Sequence, residues 1–493
     1  MQLGQLVIDM EDARLVGRGD VEVTGITADS RQIGPGFLFV AVRGVAVDGH
    51  EFVADAIARK AVAVVTEAPV GGDTPNLVVK NGTKALAELA SRFFGNPAGG
   101  MFLCGVTGTN GKTSTSHLYR SIMEFSGWGR VGIVGTLGHG VGAELQKTPH
   151  TTPDSVELHR QFRRMADEGC RGVVMEVSSH AVRQHRTWGL DFNVGILTNV
   201  THDHLDYHKT LDDYRAAKRE FCFSLVSAAR RKPAGTLVYW RDDPVAREIG
   251  ESFPGRKISV GAERGADVYT SDVAATLQDT RFTLHIGKEK PFPVRMTLLG
   301  SFCATNAALA AAGAWASGAH AAAIRGGLES IDRVRGRFEA LGGDGKPVVI
   351  LDYSHTADSM ERVLATCRGL GPERLFTVFG CGGDRDRAKR PMMGRIAQSL
   401  SDFCYLTTDN PRTESIEVIL EDILSGMDRS ADNFRIELDR RSAIREAIAR
   451  AGSSDIVALL GKGHEEYQII GTNRLPFSDR NEAEGALREW RAA

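Results

Sequence analysis

The chain has 493 residues, of which 42% are hydrophobic and 25% are charged, and a formal net charge of −2. This composition is typical of a soluble globular protein of roughly two to four domains. The balance of 60 basic against 62 acidic residues argues against nucleic-acid or membrane-surface binding through bulk charge. The 7 cysteines are scattered without C-x-x-C spacing, which argues against a disulfide framework or a structural zinc site. Residues 1–14 lack a signal-peptide core and no apolar run could span a membrane, so we expect a cytoplasmic protein.

The first part of the chain, residues 1–98, carries a small α/β pattern. Strands are predicted at 37–43 and 61–66, with a helix at 52–60 between them. The sequence Asn-Pro-Ala-Gly-Gly at 96–100 is a turn-rich break, and we predict a domain boundary there.

The second part, residues 99–333, alternates strand and helix patterns. This alternation predicts a doubly wound, mostly parallel sheet with helices on both faces. Short alternating strands at 257–299 predict an antiparallel extension, and 306–316 predicts an alanine-rich helix. The predicted strands are 101–105, 130–135, 171–177, 193–198 and 236–240, and the predicted helices include 114–125, 156–168 and 212–225.

The third part, residues 334–493, repeats the alternation and predicts a second doubly wound, Rossmann-like unit. Ligands are expected at the carboxyl ends of its strands, where polar residues gather at 352–358, 380–390, 409–412 and 461–465. The predicted strands are 347–352, 374–379, 403–407 and 455–460, and the predicted helices are 358–368, 391–400, 415–427 and 441–451.

A glycine-rich turn follows the first strand of the second part. Residues 105–113 read Gly-Val-Thr-Gly-Thr-Asn-Gly-Lys-Thr and precede a helix, which is the context of a phosphate-binding P-loop. Backbone N–H groups and the helix N-terminus favour phosphate, Lys112 can reach the terminal phosphates, and Thr113 can ligate Mg²⁺. Val106 stands where the strict pattern has glycine, which leaves a structural glycine turn as the alternative.

Three further groups in the second part carry candidate chemistry, each with a plainer alternative. Glu176 ends a predicted strand, where it could hold Mg²⁺ or cap a helix. The segment 199–208 is rich in histidine and aspartate, which favours Mg²⁺ and phosphate contacts, although polar surface loops also contain histidines. By pattern alone, Lys218 is a solvated lysine on a helix.

Two polar loops of the third part could bind anions. Residues 384–390 mix cations and anions after a glycine turn; alone, this pattern favours a solvated charged loop over a phosphate or carboxylate site. In 409–412, Asp-Asn-Pro-Arg, the proline fixes the backbone and Arg412 offers a planar fork for a carboxylate.

Together these motifs resemble the Mur ligase family of ATP-dependent amide-forming enzymes. The resemblance implies three domains: 1–98 binds the UDP part of an acceptor, 99–333 is the P-loop ATPase, and 334–493 binds the incoming amino acid. It also implies that ATP phosphorylates a substrate carboxylate to an acyl phosphate, which the amine of the amino acid then attacks. The matching segments, spread over nearly the whole chain, are 107–113, 151–153, 176–180, 201–206, 336–339, 352–356, 380–386, 409–412 and 461–465.

The resemblance also assigns roles to individual residues. Catalytic and metal-binding roles fall to Lys112, Glu176, His204 and Lys218, with Thr113 as a further Mg²⁺ ligand and Lys218 acting as a carbamate. The implied ATP contacts are Gly108, Thr109, Asn110, Gly111, Lys112, Thr113, Ser114, Asn306, Arg337 and Asp352. The implied UDP-muramoyl-peptide contacts are Ser30, His150, Thr151, Thr152, Ser178, Gln184 and Arg186. The implied amino-acid contacts are Arg385, Asp409, Asn410, Pro411, Arg412, Gly461 and Glu465.

Within the family, the resemblance implies addition of meso-2,6-diaminopimelate to UDP-N-acetylmuramoyl-L-alanyl-D-glutamate in peptidoglycan precursor synthesis. ATP and Mg²⁺ are then required, and we expect a monomer without a nucleic-acid partner. Diaminopimelate carries a second amino-acid centre, whose carboxylate could bind Arg412 and whose ammonium could bind Glu465. An unpaired Arg412 would disfavour lysine.

Three other functions stay open at this point. They are a sister ligase that adds lysine or another amino acid, a folylpolyglutamate- or cyanophycin-type ligase, and a nucleotide-binding scaffold without turnover. The sequence also departs from the common family pattern at His150, at 303–304 (Cys-Ala), at Ala357 and at 45–47, which leaves acceptor recognition less well defined than the nucleotide site.

Overall fold

The computed structural model of the protein describes residues 1–44, 47–227 and 232–491. Positions 45 and 46 of the unusual segment 45–47 lie outside these ranges. Within them, the strands form three large sheets and one separate hairpin. None of the helices in this described part has the length and apolar character needed to cross a membrane.

The N-terminal part is built on a sheet of order β1-β5-β4-β3-β2, in which only β1 runs antiparallel to its neighbour. The predicted strands and helix lie within it, whereas the outer strands and the long helix α3 were not predicted. Helix α3 begins after Asn81, whose side chain accepts the N–H of Lys84, and it buries Leu86 and Leu89 against the sheet. The elements are α1 (Leu3–Leu6), β1 (Ala13–Val16), β2 (Gly25–Thr27), β3 (Phe37–Val40), α2 (Val53–Ala58), β4 (Ala63–Thr66), β5 (Asn76–Val79) and α3 (Gly82–Phe93).

The central sheet has the order β15-β14-β13-β12-β11-β10-β6-β9-β7-β8. Its first elements are β6 (Phe102–Thr107), α4 (Lys112–Met123), β7 (Val131–Gly135), β8 (Gly138–Gly140), α5 (Ser155–Asp167), β9 (Gly172–Glu176), α6 (Ser179–Arg183), β10 (Val194–Leu197), α7 (Leu205–His208) and α8 (Leu211–Ser224). The remaining elements are β11 (Thr236–Trp240), α9 (Pro244–Ser252), β12 (Lys257–Gly261), β13 (Val268–Ala275), β14 (Thr280–Ile286), β15 (Phe292–Met296), α10 (Phe302–Ala316) and α11 (Ala321–Glu329).

Helices cover both faces of this sheet, as predicted. Leu118 of α4 and Leu309 of α10 belong to the core on one face, and Phe162 of α5 and Phe221 of α8 belong to the core on the other. The alanine-rich helix α10 lies directly on the strands, since a Cβ at Gly313 would meet the Ile196 side chain at 2.6 Å. Small side chains are what permit this close approach.

The antiparallel extension is confirmed for β13, β14 and β15, but the prediction was wrong for β12. Strand β12 pairs parallel with β11 and with β13. Helix α9 lies between β11 and β12 and returns the chain to the end of the sheet where β11 begins. Strand β12 therefore runs in the same direction as β11 and continues the parallel part.

The C-terminal sheet has the order β16-β17-β21-β18-β19-β20, parallel except for β16. The predicted strands and helices are confirmed, whereas the hairpin β22–β23 was not predicted. The first elements are β16 (Glu339–Gly342), β17 (Val348–Asp352), α12 (Ala357–Gly369), β18 (Leu375–Phe379), α13 (Lys389–Leu400), β19 (Phe403–Leu406) and α14 (Ile416–Leu424). They are followed by β20 (Phe434–Ile436), α15 (Arg440–Arg450), β21 (Ile456–Leu460), β22 (Tyr467–Ile470), β23 (Asn473–Pro476) and α16 (Asp479–Glu489).

Candidate active site

The glycine-rich turn after β6 is fastened to the end of the neighbouring strand β10. Gly108 has a φ of +146°, and a Cβ there would lie 1.8 Å from the Thr198 hydroxyl oxygen. The carbonyl oxygen of Asn199 accepts the N–H of Thr109 at 2.9 Å, and its side-chain Oδ1 accepts the N–H of Asn110 at 2.9 Å. Only glycine fits at 108, and the loop is held in one conformation.

Lys112 is the first residue of helix α4, and its ammonium folds back over this turn. Its Nζ donates to the carbonyl oxygens of Gly108 and Thr109, both at 2.8 Å, and burial lowers its pKa. Val106 lies fully buried inside strand β6 rather than in the turn, so the missing glycine leaves the turn intact. The geometry is that of a phosphate-binding loop at a helix N-terminus.

The Glu176 carboxylate is 1% exposed and lies beside the first turn of α4. Its Oε1 accepts the backbone N–H of Thr136 at 2.8 Å, and its Oε2 accepts the hydroxyls of Thr113 at 3.1 Å and Thr136 at 3.0 Å. Helix α6 is capped by Ser178, so the alternative that Glu176 caps a helix is wrong. Among the described residues no Lys, Arg or His forms an ion pair with Glu176.

These contacts fit a magnesium ion bound chiefly through phosphates. No cluster of three or more His, Cys, Asp or Glu side chains suited to a metal is present in the described ranges. Mg²⁺ on a nucleotide needs only one or two protein oxygens besides the phosphates and water. Glu176, which is buried and has no ion pair within the described ranges, and the adjacent Thr113 hydroxyl provide such oxygens.

The histidine-rich segment forms a packed aromatic cluster next to Glu176. His204 has a left-handed backbone with a φ of +56°, and its Nε2 lies 3.3 Å from Oδ2 of Asp203. The ring centroids of His204 and His180 are 4.9 Å apart, and burial lowers the pKa of His204 to about 3. The imidazole is therefore neutral at neutral pH, which is the form that binds a metal.

Lys218 is buried, in contrast to the solvated lysine that its pattern indicated. It lies on α8 with 1% of its surface exposed, and its Nζ is 4.4 Å from the ring centroid of Tyr214. Within the part of the chain that the structure describes, this amine has no hydrogen bond or ion pair. Burial holds its pKa well below the ordinary lysine value, which favours the uncharged amine.

A cleft of about 240 Å³ unites these groups with residues of the C-terminal part. Arg337 donates from Nη2 to the Thr113 hydroxyl at 2.9 Å. Burial raises the pKa of Asp352, which accepts the N–H of Phe338 at 2.7 Å and so shapes the segment that carries Arg337. The predicted nucleotide and catalytic residues lining the cleft are Gly108, Thr109, Asn110, Gly111, Lys112, Thr113, Ser114, Glu176, His204, Lys218, Asn306, Arg337 and Asp352.

The two parts also meet directly beside the P-loop. The Asn110 side-chain amide donates to Oδ2 of Asp358, a residue of helix α12, at 2.7 Å. His202 lies 3.3 Å from Oδ2 of Asp386, and Glu466 pairs with Lys147. Side chains of the two parts therefore contact one another beyond the lining of the cleft as well.

The residues predicted to bind the acceptor divide into several groups. Thr151 and Ser178 line the cleft. Thr152 is fully buried, and its hydroxyl donates to the Glu176 carbonyl oxygen at 2.8 Å, so it braces the end of β9. Arg186 donates to Oε1 of Gln184 at 2.6 Å and to the Thr152 carbonyl oxygen at 2.6 Å. His150 is exposed and outside the cleft lining, and Ser30 lies in the N-terminal part.

The residues predicted to bind the amino acid gather at the ends of β19 and β21. Arg412 has a left-handed backbone with a φ of +54°. Its N–H donates to the Ile469 carbonyl oxygen at 3.1 Å, and its carbonyl oxygen accepts the N–H of Gly471 at 2.7 Å, so the hairpin β22–β23 holds it. Asp409, Asn410, Pro411 and Gly461 are buried beside it, Glu465 is half-buried, and Arg385 is exposed with Nη1 on the Asp384 carbonyl oxygen at 2.9 Å.

Two of the departures from the family pattern have simple structural settings. Ala357 is the first residue of helix α12, a position that accepts alanine as well as proline. Cys303 is buried in the first turn of α10, with Sγ 3.0 Å from the Leu299 carbonyl oxygen.

Sequence reasoning missed several residues that build the site. Thr136 binds both oxygens of Glu176, Tyr353 places its ring 4.7 Å from the Arg337 guanidinium carbon, and Lys462 lies buried among the amino-acid residues. Lys462 stands inside the polar segment 461–465, which was the available signal for it. Thr136 is an isolated threonine after a strand and gave none.

Comparison with known proteins gives consistent results along the chain. The descriptions matched are "Mur ligase family, catalytic domain" at residues 22–94, "Mur ligase middle domain" at 106–314, and "Mur ligase, glutamate ligase domain" at 336–463. The UDP-N-acetylmuramoyl-L-alanyl-D-glutamate–2,6-diaminopimelate ligase of Bacillus cereus is 39% identical over 99% of this chain and 98% of its own. The ligase of the same name from Syntrophomonas wolfei is 40% identical over 98% and 97%.

Solved structures agree with these relatives. A structure of a ligase of that same name is 30% identical, with a TM-score of 0.69 and coverage of 99% of both chains. The MurF ligase from Thermotoga maritima in complex with ADP shares the fold at 18% identity, with a TM-score of 0.63 over 95% of this chain and 98% of its own. The chain therefore belongs to the Mur ligase family.

Proposed function

We propose that this protein is an ATP-dependent ligase that adds meso-2,6-diaminopimelate to UDP-N-acetylmuramoyl-L-alanyl-D-glutamate in peptidoglycan precursor synthesis. The observation that carries the proposal is the cleft that joins the P-loop, Glu176 and Lys218 with Arg337 of the C-terminal part. The P-loop and the Glu176, Lys218 and Arg337 side chains line this one cleft, which supports roles for them in binding phosphate and metal. We take 1–98, 99–333 and 334–493 as the three domains, in a cytoplasmic monomer.

The chemistry requires a carboxylate oxygen of the acceptor to attack the terminal phosphorus of ATP, which forms an acyl phosphate as the bond to ADP breaks and ADP leaves. A carboxylate is a poor acyl donor, and its conversion to an acyl phosphate supplies a leaving group for the incoming amine. The amine attacks the carbonyl carbon, the tetrahedral intermediate collapses, and amide and phosphate are released. Lys112 and Arg337 are placed to offset the negative charge that gathers at the phosphates.

In this proposal, three side chains of the cleft and a modified lysine would hold Mg²⁺. Mg²⁺ supplies charge neutralisation where the carboxylate and the phosphates meet, and Glu176, Thr113 and His204 would hold it. Lys218 joins them after carbamylation, in which its uncharged amine adds to CO₂ and releases one proton, so that the side chain ends in the anionic carboxylate of a carbamate. The buried position of this amine without a partner among the described residues supports the modification.

Thr151 and Ser178 line the same cleft and are placed to meet the acceptor peptide. The segment of Asp409 to Arg412 together with Glu465 receives the amino acid at the neighbouring strand ends. Arg412 binds the distal carboxylate of diaminopimelate, and Glu465 and Asn410 receive the distal ammonium and carboxylate groups. A lysine substrate lacks the distal carboxylate and would leave Arg412 unpaired.

The test is phosphate release by the purified enzyme with ATP, Mg²⁺ and the UDP-muramoyl dipeptide, using diaminopimelate, lysine, glutamate or no amino acid. Release that depends on both the dipeptide and diaminopimelate supports the proposal. Release with lysine alone would make this a sister ligase of different specificity. If no amino acid gives phosphate release although the protein is folded and binds ADP, the protein is a scaffold without turnover.

A further inference from the structure

Lys462 is a fully buried ammonium surrounded by the residues that receive the amino acid. Its Nζ lies 3.3 Å from Oδ1 of Asp409, 3.2 Å from Oδ1 of Asn410 and 3.1 Å from Oε2 of Glu465, and its side chain is 0% exposed. An ammonium has three N–H donors, so these acceptors use all of them. Lys462 is unavailable to a ligand and acts only through its neighbours.

The backbone on both sides of Lys462 is built to bring it there. Gly461 and Gly463 have φ values of +110° and +50°. A Cβ at Gly461 would lie 3.0 Å from Oδ2 of Asp409, and a Cβ at Gly463 would lie 2.7 Å from the Gly336 carbonyl oxygen. The two glycines permit a tight turn that points the intervening lysine inward.

Lys462 fixes the orientation of the Asn410 amide. Oδ1 of Asn410 accepts from Lys462 and also from the N–H of Ile469 at 3.0 Å. Its Nδ2 therefore faces Oε2 of Glu465 at 2.8 Å. That bond uses one of the two amide N–H groups, and the second is left for a ligand, because Asn410 has no further acceptor among the described residues.

Lys462 also sets the charge that the site presents. It neutralises part of the combined charge of Asp409 and Glu465, whose carboxylate oxygens lie 3.3 Å and 3.1 Å from its Nζ. Oε2 of Glu465 is engaged by Lys462 and Asn410, whereas Oε1 accepts only the Tyr467 hydroxyl at 3.3 Å within the described chain. One carboxylate oxygen thus remains for an ammonium.

We propose that Lys462 is a specificity-determining positioning residue for the amino-acid substrate. It locks one amide donor on Asn410 and one anionic oxygen on Glu465 into fixed directions, and Nη1 of the Arg412 guanidinium lies 3.4 Å from the Asn410 carbonyl oxygen. This pattern of donor, anion and cation matches a zwitterionic amino-acid centre, the feature that distinguishes diaminopimelate from lysine. The inference rests on the proposed function for the identity of the substrate.

The test compares Lys462→Met and Lys462→Gln with the wild-type enzyme in steady-state phosphate release. We expect KM for diaminopimelate to rise about tenfold or more, because both recognition groups lose their fixed directions. KM for ATP and for the dipeptide stays within about twofold, and kcat/KM for lysine, which can use the Glu465 oxygen alone, falls less than kcat/KM for diaminopimelate. The selectivity for diaminopimelate over lysine therefore falls.

Arg374→Met is the matched control. Arg374 pairs at 2.7 Å with Asp455, which is 2% exposed, at the amino ends of β18 and β21. Its loss also leaves a buried carboxylate unpaired in the same domain, but at the opposite end of the strands. It should lower the thermal unfolding temperature and leave KM for diaminopimelate unchanged.

Two results would overturn the role of Lys462: an unchanged KM for diaminopimelate in a folded variant, or a parallel rise of KM for all three substrates. If Lys462→Met does not fold, KM for diaminopimelate in Lys462→Gln tests the role of Lys462. Glutamine keeps an N–H donor for the surrounding oxygens. A wild-type enzyme that turns over a different amino acid would refute the proposed specificity alone. The role of Lys462 is then tested by KM for that amino acid.

Discussion

Replacement of Arg412 by glycine separates substrate recognition from backbone strain at one position. Nη1 of Arg412 donates to the Gly383 carbonyl oxygen at 2.8 Å, which anchors one end of the guanidinium. Among the described residues, Nε and Nη2 have no acceptor, and we propose that they form the edge that binds a carboxylate with two parallel bonds. The φ of +54° is a conformation that glycine adopts freely and other residues do not.

The expected magnitude follows from these contacts. Hydrogen bonds to a charged group contribute about 1.5–3 kcal/mol, so loss of the guanidinium lowers kcat/KM for diaminopimelate by about 10- to 150-fold. For lysine, which has no distal carboxylate, kcat/KM stays within about threefold. Arg412→Ala should lose the same selectivity but be less stable than Arg412→Gly by about 1 kcal/mol, since alanine keeps the left-handed strain.

The assay is phosphate release with diaminopimelate and with lysine, together with thermal unfolding of both variants. Equal loss of selectivity in the glycine and alanine variants assigns the effect to the guanidinium. An unchanged ratio of the two kcat/KM values would refute the role of Arg412. If only the alanine variant loses selectivity for diaminopimelate, the cause is the strained backbone at position 412 and not the missing guanidinium.

Three further perturbations test the nucleotide side of the cleft. Gly108→Ala puts a Cβ 1.8 Å from a threonine hydroxyl and should reduce turnover by about 100-fold or more, whereas Gly100→Ala, with open space around it, should have no effect. Loss of the 2.7 Å bond in Asn110→Ala or Asp358→Ala should raise KM for ATP by about 2- to 10-fold, and the double variant should add nothing further. Removal of dissolved CO₂ should lower the turnover of the wild-type enzyme, and addition of bicarbonate should restore it. The residual turnover of Lys218→Ala should not change with CO₂. A wild-type enzyme that is insensitive to CO₂ would contradict a carbamate on Lys218.

The nucleotide loop was predictable from sequence because its determinants are local. The turn glycines, Lys112 and Thr113 lie within a few residues, and the strand and helix that flank them have clear patterns. The strict glycine rule failed at Val106 because strand β6 continues to Thr107, two residues beyond the predicted end of the strand. The parallel pairing of β12 was missed for the opposite reason, since it depends on where helix α9 returns the chain.

The remaining site residues depend on tertiary packing that no local pattern contains. Lys218 has the sequence setting of a solvated helical lysine, yet α8 turns it into the core, and only the family resemblance pointed to it. Arg412 was singled out as a carboxylate fork, but its left-handed backbone and its support by the hairpin β22–β23 were not visible. Lys462 went unnoticed because its three acceptors come from two separate loops.

We propose that the enzyme activates the acceptor carboxylate as an acyl phosphate before diaminopimelate attacks. The most direct measurement uses a dipeptide acceptor whose glutamate carboxylates carry oxygen-18, with mass analysis of the released phosphate. Because the carboxylate oxygen that attacks ATP leaves with the phosphate, diaminopimelate-dependent release of phosphate bearing one heavy oxygen is predicted. Unlabelled phosphate released during amide formation would contradict activation through an acyl phosphate.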